Sequence, residues 1–380
     1  ADYSNYNTVY SQQPTLITTT DADYTFREIE NFDTRIQATA TKIPNESIDS
    51  WTDVQSDEIL DLDGKYGPIN GVVNFRDQIY TFQDNAFALI GINPRVQTQG
   101  TDGSSIELGT GSKLYDYQYI STTSGSLNKW GILATGSAIY YLDGLNKRFH
   151  RFSQQLEPLS EMKGLHKYLE NNLDITSLRA DNPLLGTGVS MGYDQKNNDV
   201  YLTYNNEWTL GYNELLNEFT GFYSYNAPVY IWNKEKFLTV NPNNITSLYE
   251  THAGDYNMFY DENQPSSIIM ILNPEADHEC VFNNLEWKSE AIDSDGTDNN
   301  YTWEEVRIWN EFQDSETVTI SKIRKMNRKY RLALPRNANS RDRIRNNWAY
   351  VELSGNNEDG YFYVNHDIIL YYMPNYIIIQ

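Results

Sequence analysis

The sequence predicts an all-β protein: β-propeller-like blades followed by an antiparallel β-sandwich or platform domain. First, a Gly-to-Tyr frame occurs three times. Gly71 lies nine residues before Tyr80, Gly131 nine before Tyr140 and Gly192 nine before Tyr201. The tyrosines are 60 and 61 residues apart, and strand-textured repetition near a fixed period marks stacked antiparallel units. Second, polar turn clusters separate short runs that alternate at period two. Third, the chain holds 30 tyrosines. Tyrosine is apolar in body and polar at its tip, which suits half-buried strands and assembly surfaces.

In chain order, residues 1–50 are polar and read as an incoming strap or the remnant of a preceding blade. Thr15–Thr19 is a weak strand, Asp21–Asp23 a turn and Phe26–Ile29 an edge strand. Residues 51–245 hold the propeller-like repeats. The first repeat, 51–110, is entered through Asp61–Gly64 and Gly67-Pro68. The second lies in 111–180 and the third in 181–245. Each repeat tyrosine follows a β-branched residue (Ile79, Ile139, Val200) and precedes a turn and an aromatic (Phe87, Phe149, Trp208). In the third repeat Val200, Leu202 and Tyr204 alternate with Tyr201 and Thr203. Gln195–Asp199 and Asn205-Asn206 supply turn chemistry on either side. The one helix expected is Ser160–Asn172, with Leu165, Tyr168, Leu169 and Leu173 as its apolar stripe, Ser160 as cap and Gly164 weakening it.

A boundary is expected near 245, with a β-rich platform over 246–380. Ile268–Leu272, Glu279–Phe282 and Leu285–Trp287 read as buried strands, and Asp293–Asn300 as an acidic loop. Val306–Phe312 and Thr317–Ile320 alternate, and Trp348–Leu353 and Tyr361–Tyr372 close the chain.

The charge balance is 29 basic against 52 acidic residues, net −23. That opposes wrapping nucleic acid, which needs a basic surface. It is compatible with a passage through which a polyanion slides. Cys280 is the only cysteine, so no disulfide forms within the chain. No apolar run reaches the roughly 20 residues of a spanning helix, and no signal peptide is present. The chain begins Ala-Asp-Tyr without an initiating Met and is read as a processed product or a piece of a longer polypeptide.

Catalytic and metal signatures are weak. No Gly-rich loop precedes Lys-Ser/Thr, and no Gly-x-Ser-x-Gly elbow occurs. The five histidines make no pair at metal-ligand spacing. His278 and Cys280 share a strand face, but two ligands make no zinc site. Asp293–Asp298 has the oxygens and glycine of a calcium loop without its later bidentate Glu at the expected offset. The expectation is no enzyme, no cofactor and no metal.

Ten of the 29 basic residues fall in 322–345. In a chain this acidic, such a strip is a natural self-docking patch, because opposite-sign surfaces steer and register association. Arg324, Arg328, Arg331, Arg336, Arg341, Arg343 and Arg345 are the subunit-interface candidates, arginine being suited to bidentate carboxylate contacts. A solvated face and a nucleic-acid contact remain the other readings of the strip.

Several stretches resemble a known family. They are Gly192–Asp194 leading to Asp199–Thr203, Thr209–Glu214, Phe219–Ser224, Leu248–Glu250, Val281–Trp287 and the Arg-rich Pro335–Trp348. Over roughly residues 60–375 they are similar to tail nozzle and hub proteins of short-tailed bacteriophages, most like the muzzle (stabilisation) proteins of crAss-like phages. The resemblance implies a virion protein of the distal tail, assembled in the host bacterial cytoplasm. It implies a propeller joined to a β-rich platform and a ring of copies, usually sixfold. That ring forms and gates the channel through which genome and internal proteins leave. The partners implied are other copies, other tail proteins, an N-terminal fragment of the same polypeptide, and DNA only in transit. Family members are longer, so a C-terminal fragment is expected. A propeller-type glycan-binding module for host attachment is the competing reading, since Tyr and Trp also stack on sugars.

Overall fold

The computed structural model describes residues 31–40, 52, 54–93, 96–99, 105–108, 112–274, 277–321, 323 and 325–374. The expected features at Thr15–Thr19, Asp21–Asp23 and Phe26–Ile29 lie outside these residues, as does Arg324. The described residues build antiparallel sheets with a few short helices, in two compact units that divide between Leu248 and Tyr249.

The first unit opens on a hairpin of β1 (Arg35–Thr39) and β2 (Val54–Asp61). The first four-stranded sheet begins with β3 (Ile69–Phe75), β4 (Gln78–Gln83) and β5 (Ala86–Ile92). A separate hairpin, β6 (Val96–Gln99) and β7 (Ser105–Leu108), intervenes before β8 (Leu114–Ser121) pairs with β5. The second sheet is β9 (Ile132–Ala134), β10 (Ile139–Asp143), β11 (Arg148–Phe152) and β12 (Leu156–Glu157), paired in sequence order. The third is β13 (Val189–Asp194), β14 (Asp199–Tyr204), β15 (Trp208–Asn213) and β16 (Glu218–Tyr223). A three-stranded sheet follows: β17 (Tyr230–Trp232), β18 (Phe237–Asn241) and β19 (Asn244–Glu250).

The threefold frame has one structural meaning. Tyr80, Tyr140 and Tyr201 all lie on the second strand of their sheets, and each packs on the sheet that follows. Tyr80 lies 5.5 Å from Phe152 on β11, Tyr140 lies 5.7 Å from Tyr212 on β15, and Tyr201 lies 5.3 Å from Phe237 on β18, between ring centroids. Phe152 pairs with Ile139 and Tyr212 with Val200, so the first two partners hold equivalent positions. The glycines mark where first strands meet. An added Cβ would stand 2.4 Å from Ile132 Cδ1 at Gly71, 2.8 Å from Val189 Cγ2 at Gly131 and 2.4 Å from Tyr230 Cγ at Gly192. Ile132, Val189 and Tyr230 each open the first strand of the next sheet.

The copies differ in register. Gly192 faces Tyr201, whereas Gly71 faces Phe82 and the Gly131 carbonyl accepts from the Leu142 amide, each two residues beyond the repeat tyrosine. The first hairpin closes through Arg76-Asp77 alone, both with positive φ, while the third uses the four residues 195–198. The aromatic that follows also departs in the third copy. Phe87 and Phe149 stack beside Tyr80 and Tyr140. Trp208 instead lies opposite Tyr204, on the face away from Tyr201, where it joins the core shared with the second sheet.

The second sheet lies between the first and the third, so its inner strand is covered on both faces and all five residues of β10 are buried, whereas outer strands such as β8 and β16 alternate. Ile139 and Tyr141 face the first sheet, while Tyr140 and Leu142 face the third. Asn205-Asn206 forms the expected tight turn, with φ of +49° and +54°.

The expected single helix is three short ones: α1 (Leu159–Met162), α2 (His166–Asn172) and α3 (Ile175–Ala180). Gly164 takes φ +75° and ends the first turn. Ser160 is not the cap. Pro158 stands there, and the buried Ser160 hydroxyl accepts from the Phe149 amide, tying α1 to β11. Leu159, Leu169, Leu173 and Leu178 deliver the helices to the core between the second and third sheets.

His150 sits at the first of these junctions. It stacks on Tyr141 at 5.0 Å, with neither ring nitrogen hydrogen-bonded and Nε2 4.0 Å from Asp143 Oδ2. Burial, helped by Arg148, pulls its pKa down to about 4. The unfolded chain therefore takes up this proton at higher pH than the folded one. The stability His150 contributes is present above pH 6.5 and lost as pH falls toward 4. Buried Asp143, shifted upward by desolvation, works the opposite way, so a variant isolates the imidazole. Relative to His150→Phe, the wild-type chain is expected to lose about 2 kcal/mol more between pH 8 and pH 5, measured by denaturant unfolding at each pH.

The second unit begins with a small hairpin, β20 (Met258–Phe259) and β21 (Glu262–Asn263). Its remaining strands are β22 (Ser266–Leu272), β23 (Cys280–Ile292), β24 (Asp298–Asn299), β25 (Glu305–Trp309), β26 (Val318–Thr319), β27 (Lys329–Ala333), β28 (Arg345–Asn346), β29 (Ala349–Gly355) and β30 (Phe362–Pro374). One sheet runs β22-β29-β25-β26. The other is organised on β23, which carries β30 along one edge and β24, β27 and β28 along the other. Trp287, Leu285 and Tyr330 from the β23 sheet share one core with Val306, Ile308, Val351 and Leu353 from the other. The strict alternation of β29, buried at every second residue, is the pattern of a strand with one dry face. No helix among the described residues is long and apolar enough to cross a membrane.

Candidate functional site

Two cavities stand out, one in each unit. In the first unit a cavity of about 690 Å³ is lined by the first strand of each of the four successive sheets. Ile69–Val73 comes from β3, Ile132 and Leu133 from β9, Ser190 and Met191 from β13, and Tyr230 and Trp232 from β17. The glycine contacts described above hold these strands side by side. Trp130 and Trp232 reach the surface here, 56% and 38% exposed. Lys129 is the one charged lining residue, and no carboxylate lines the cavity. Neither tryptophan is legible as a site residue from the sequence. The available signal is that Trp130 immediately precedes the second repeat glycine.

The hydrogen bonds around the third sheet fix these strands. The Tyr230 hydroxyl meets Thr203 Oγ1 at 2.6 Å, and Thr203 meets Thr209 at 2.7 Å. Glu214 accepts from Thr135, Ser137 and the Tyr193 hydroxyl, joining the second and third sheets. Burial, reinforced by Glu214, lifts the Tyr193 phenol to about 12, so this tyrosine remains a neutral donor.

In the second unit the basic strip divides. Part of it is neutralised within the chain: Lys325 binds Asp298, Lys329 binds Glu286 and Arg328 approaches Glu290 at 3.6 Å. Arg331, Arg336 and Arg343 instead line a cavity of about 440 Å³ whose lining contains no carboxylate. Arg341 and Arg345 are exposed outside it. Each lining guanidinium is held by a neutral group. Arg331 lies over the Tyr371 ring at 4.6 Å, Arg343 donates to Asn283 Oδ1 at 2.6 Å, and Arg336 donates to the Arg341 carbonyl at 3.3 Å.

The other sequence candidates form structural turns. Asp293 Oδ1 accepts the amides of Asp295 and Thr297, its Oδ2 accepts from Asn299, and Asp298 takes the Lys325 ammonium. Cys280 is buried, with Sγ 3.7 Å from the His278 carbonyl. No group of three His, Cys, Asp or Glu residues placed to hold a metal occurs among the described residues.

Stacked antiparallel sheets with few helices define an all-β module. A family model described as crassvirus muzzle protein matches residues 1–243, and one described as its C-terminal domain matches residues 254–337. The muzzle protein of Bacteroides phage crAss001 is 34% identical over 380 residues, covering 98% of this chain and 27% of that protein. The chain belongs to the crassvirus muzzle protein family, a family of structural phage tail proteins. It spans about a quarter of the length of the curated relative it matches.

Proposed function

We propose that the chain is a building block of the distal phage tail, and that copies of it stand in a ring, sixfold by resemblance, around the exit channel. In this reading 51–245 is a propeller-like part and 246–380 the platform through which copies and other tail proteins join. The observation that carries it, beside family membership, is the order of the first unit. Four consecutive sheets stack face to face, and their first strands gather around one cavity, the relation that propeller blades bear to their axis. The net charge of −23 serves passage. Acidic walls repel phosphates and prevent a leaving genome from adhering. The ring gates that passage for genome and internal proteins, and arginines of the 324–345 strip are engaged between copies.

Antibody fragments raised against the chain test this on intact virions. Electron microscopy is expected to show several fragments arranged in a circle at the tail tip, and ejection of DNA is expected to fall. Label on the capsid, or a single label per particle, overturns the reading. The competing glycan-binding reading rests on Trp130 and Trp232 at the mouth of the larger cavity. Selective glycan-array binding that is lost in Trp130→Ala favours it.

A further inference from the structure

We infer that the arginine-lined cavity of the second unit receives Glu311 and Phe312 of a second copy of this chain. The inference rests on the copy-to-copy reading above and names its contact. The receiving side has an apolar floor, with Phe282 and Leu334 buried beneath it and Met373 alongside. Its rim is Arg331, Arg336 and Arg343, together with Asn283 and Asn284. Glu286, directly across the strand pair from Arg331, is already engaged by Lys329 at 2.9 Å and approached by the Tyr371 hydroxyl at 3.4 Å. Three guanidiniums beside an apolar floor fit a carboxylate next to a large apolar side chain.

The chain carries that pair on a rigid tip. Phe312 is 80% exposed, as exposed as any large apolar side chain among the described residues. It is not on a loose loop. Asn310 Oδ1 accepts the amides of Phe312 and Gln313, and the Asn310 amide donates to the Gln313 carbonyl. Glu311 is exposed beside it. Among other exposed apolar pairs, Leu184-Leu185 stands between Pro183 and Gly186 with no adjacent acid, and Leu215-Leu216 is flanked by carboxylates that are occupied: Glu214 by three hydroxyls and Glu218 by Lys163. A fixed aromatic beside an acid on one patch, and an apolar floor beneath three arginines on another, are complementary in both shape and charge.

Sedimentation velocity over a concentration series tests the contact, with circular dichroism melting to confirm that each variant folds. Phe312→Ala, and separately the pair Arg336→Ala with Arg343→Ala, are expected to weaken self-association about tenfold or more. Arg328→Ala, whose guanidinium faces Glu290 in its own chain, leaves it unchanged. Glu311→Arg and the pair Arg336→Glu with Arg343→Glu are each expected to dissociate alone and to reassociate when mixed. A wild-type chain that stays monomeric overturns the inference, as does equal association of wild type and variants. In either case the ring reading is decided separately by the virion labelling. A fluorescein-labelled duplex DNA is titrated in parallel. Loss of DNA binding in the arginine variants with unchanged self-association assigns the cavity to nucleic acid and also overturns the inference.

Discussion

Replacing Gly192 with alanine is expected to destabilise the first unit by about 2–3 kcal/mol, the upper part of the usual cost of overpacking. The added Cβ would stand 2.4 Å from Tyr230 Cγ and 2.6 Å from its Cβ. Tyr230 has nowhere to go. It is 7% exposed, its hydroxyl is held by Thr203, and its ring stacks on Phe237 at 5.5 Å. The same change at Gly71 meets only Ile132 Cδ1 at 2.4 Å, the far end of a flexible side chain. A rotamer change relieves it, and about 1 kcal/mol or less is expected. Urea unfolding of both variants checks the contrast. Equal costs would mean that the glycines act through backbone freedom and not through the approach of the next sheet.

Trp287→Ala is expected to cost about 3–5 kcal/mol in the second unit, as truncation of a large core aromatic does. Trp287 is 1% exposed, lies 6.0 Å from the Tyr330 ring, and donates from Nε1 to Thr302 Oγ1 at 2.7 Å. Truncation leaves a cavity and removes the Thr302 hydroxyl's indole donor, although Tyr363 OH at 3.1 Å keeps that hydroxyl partly satisfied. Trp287→Phe retains most of the apolar volume and is expected to cost less, about 1–3 kcal/mol. Chemical denaturation followed by fluorescence measures both, and an alanine cost below that of phenylalanine refutes the packing account.

Much of the architecture was legible because it is written at period two. The alternation around Tyr201 and the Asn205-Asn206 turn gave a hairpin that the structure contains, and the common spacing of the three glycines and tyrosines gave three sheets of like construction. What spacing does not encode is register. The third hairpin has a longer loop, so Gly192 meets Tyr201 where the earlier glycines meet residues further along. Nor does it encode which face an aromatic takes, so Trp208 parted from Phe87 and Phe149. The helix over 160–172 was legible as an apolar stripe, but its division at Gly164 depended on a positive φ that a weakened propensity alone does not announce. The basic strip was legible as a charge run. Its sorting into neutralised cations and three that share a cavity was not, because Glu286, Glu290 and Asp298 reach it from elsewhere in the chain. The cavity framed by first strands had no local signature at all, since its lining is drawn from four separate sheets.

The placement of Cys280 gives the second unit a built-in reporter. The chain's one thiol is fully enclosed at the start of β23, where β28 and the end of β30 pair on either side of it. An alkylating reagent can reach it only when those flanking strands let go, so the rate of thiol capture clocks the opening of that end of the sheet. Followed while tails are put together, the same clock registers whether joining the assembly clamps this corner shut.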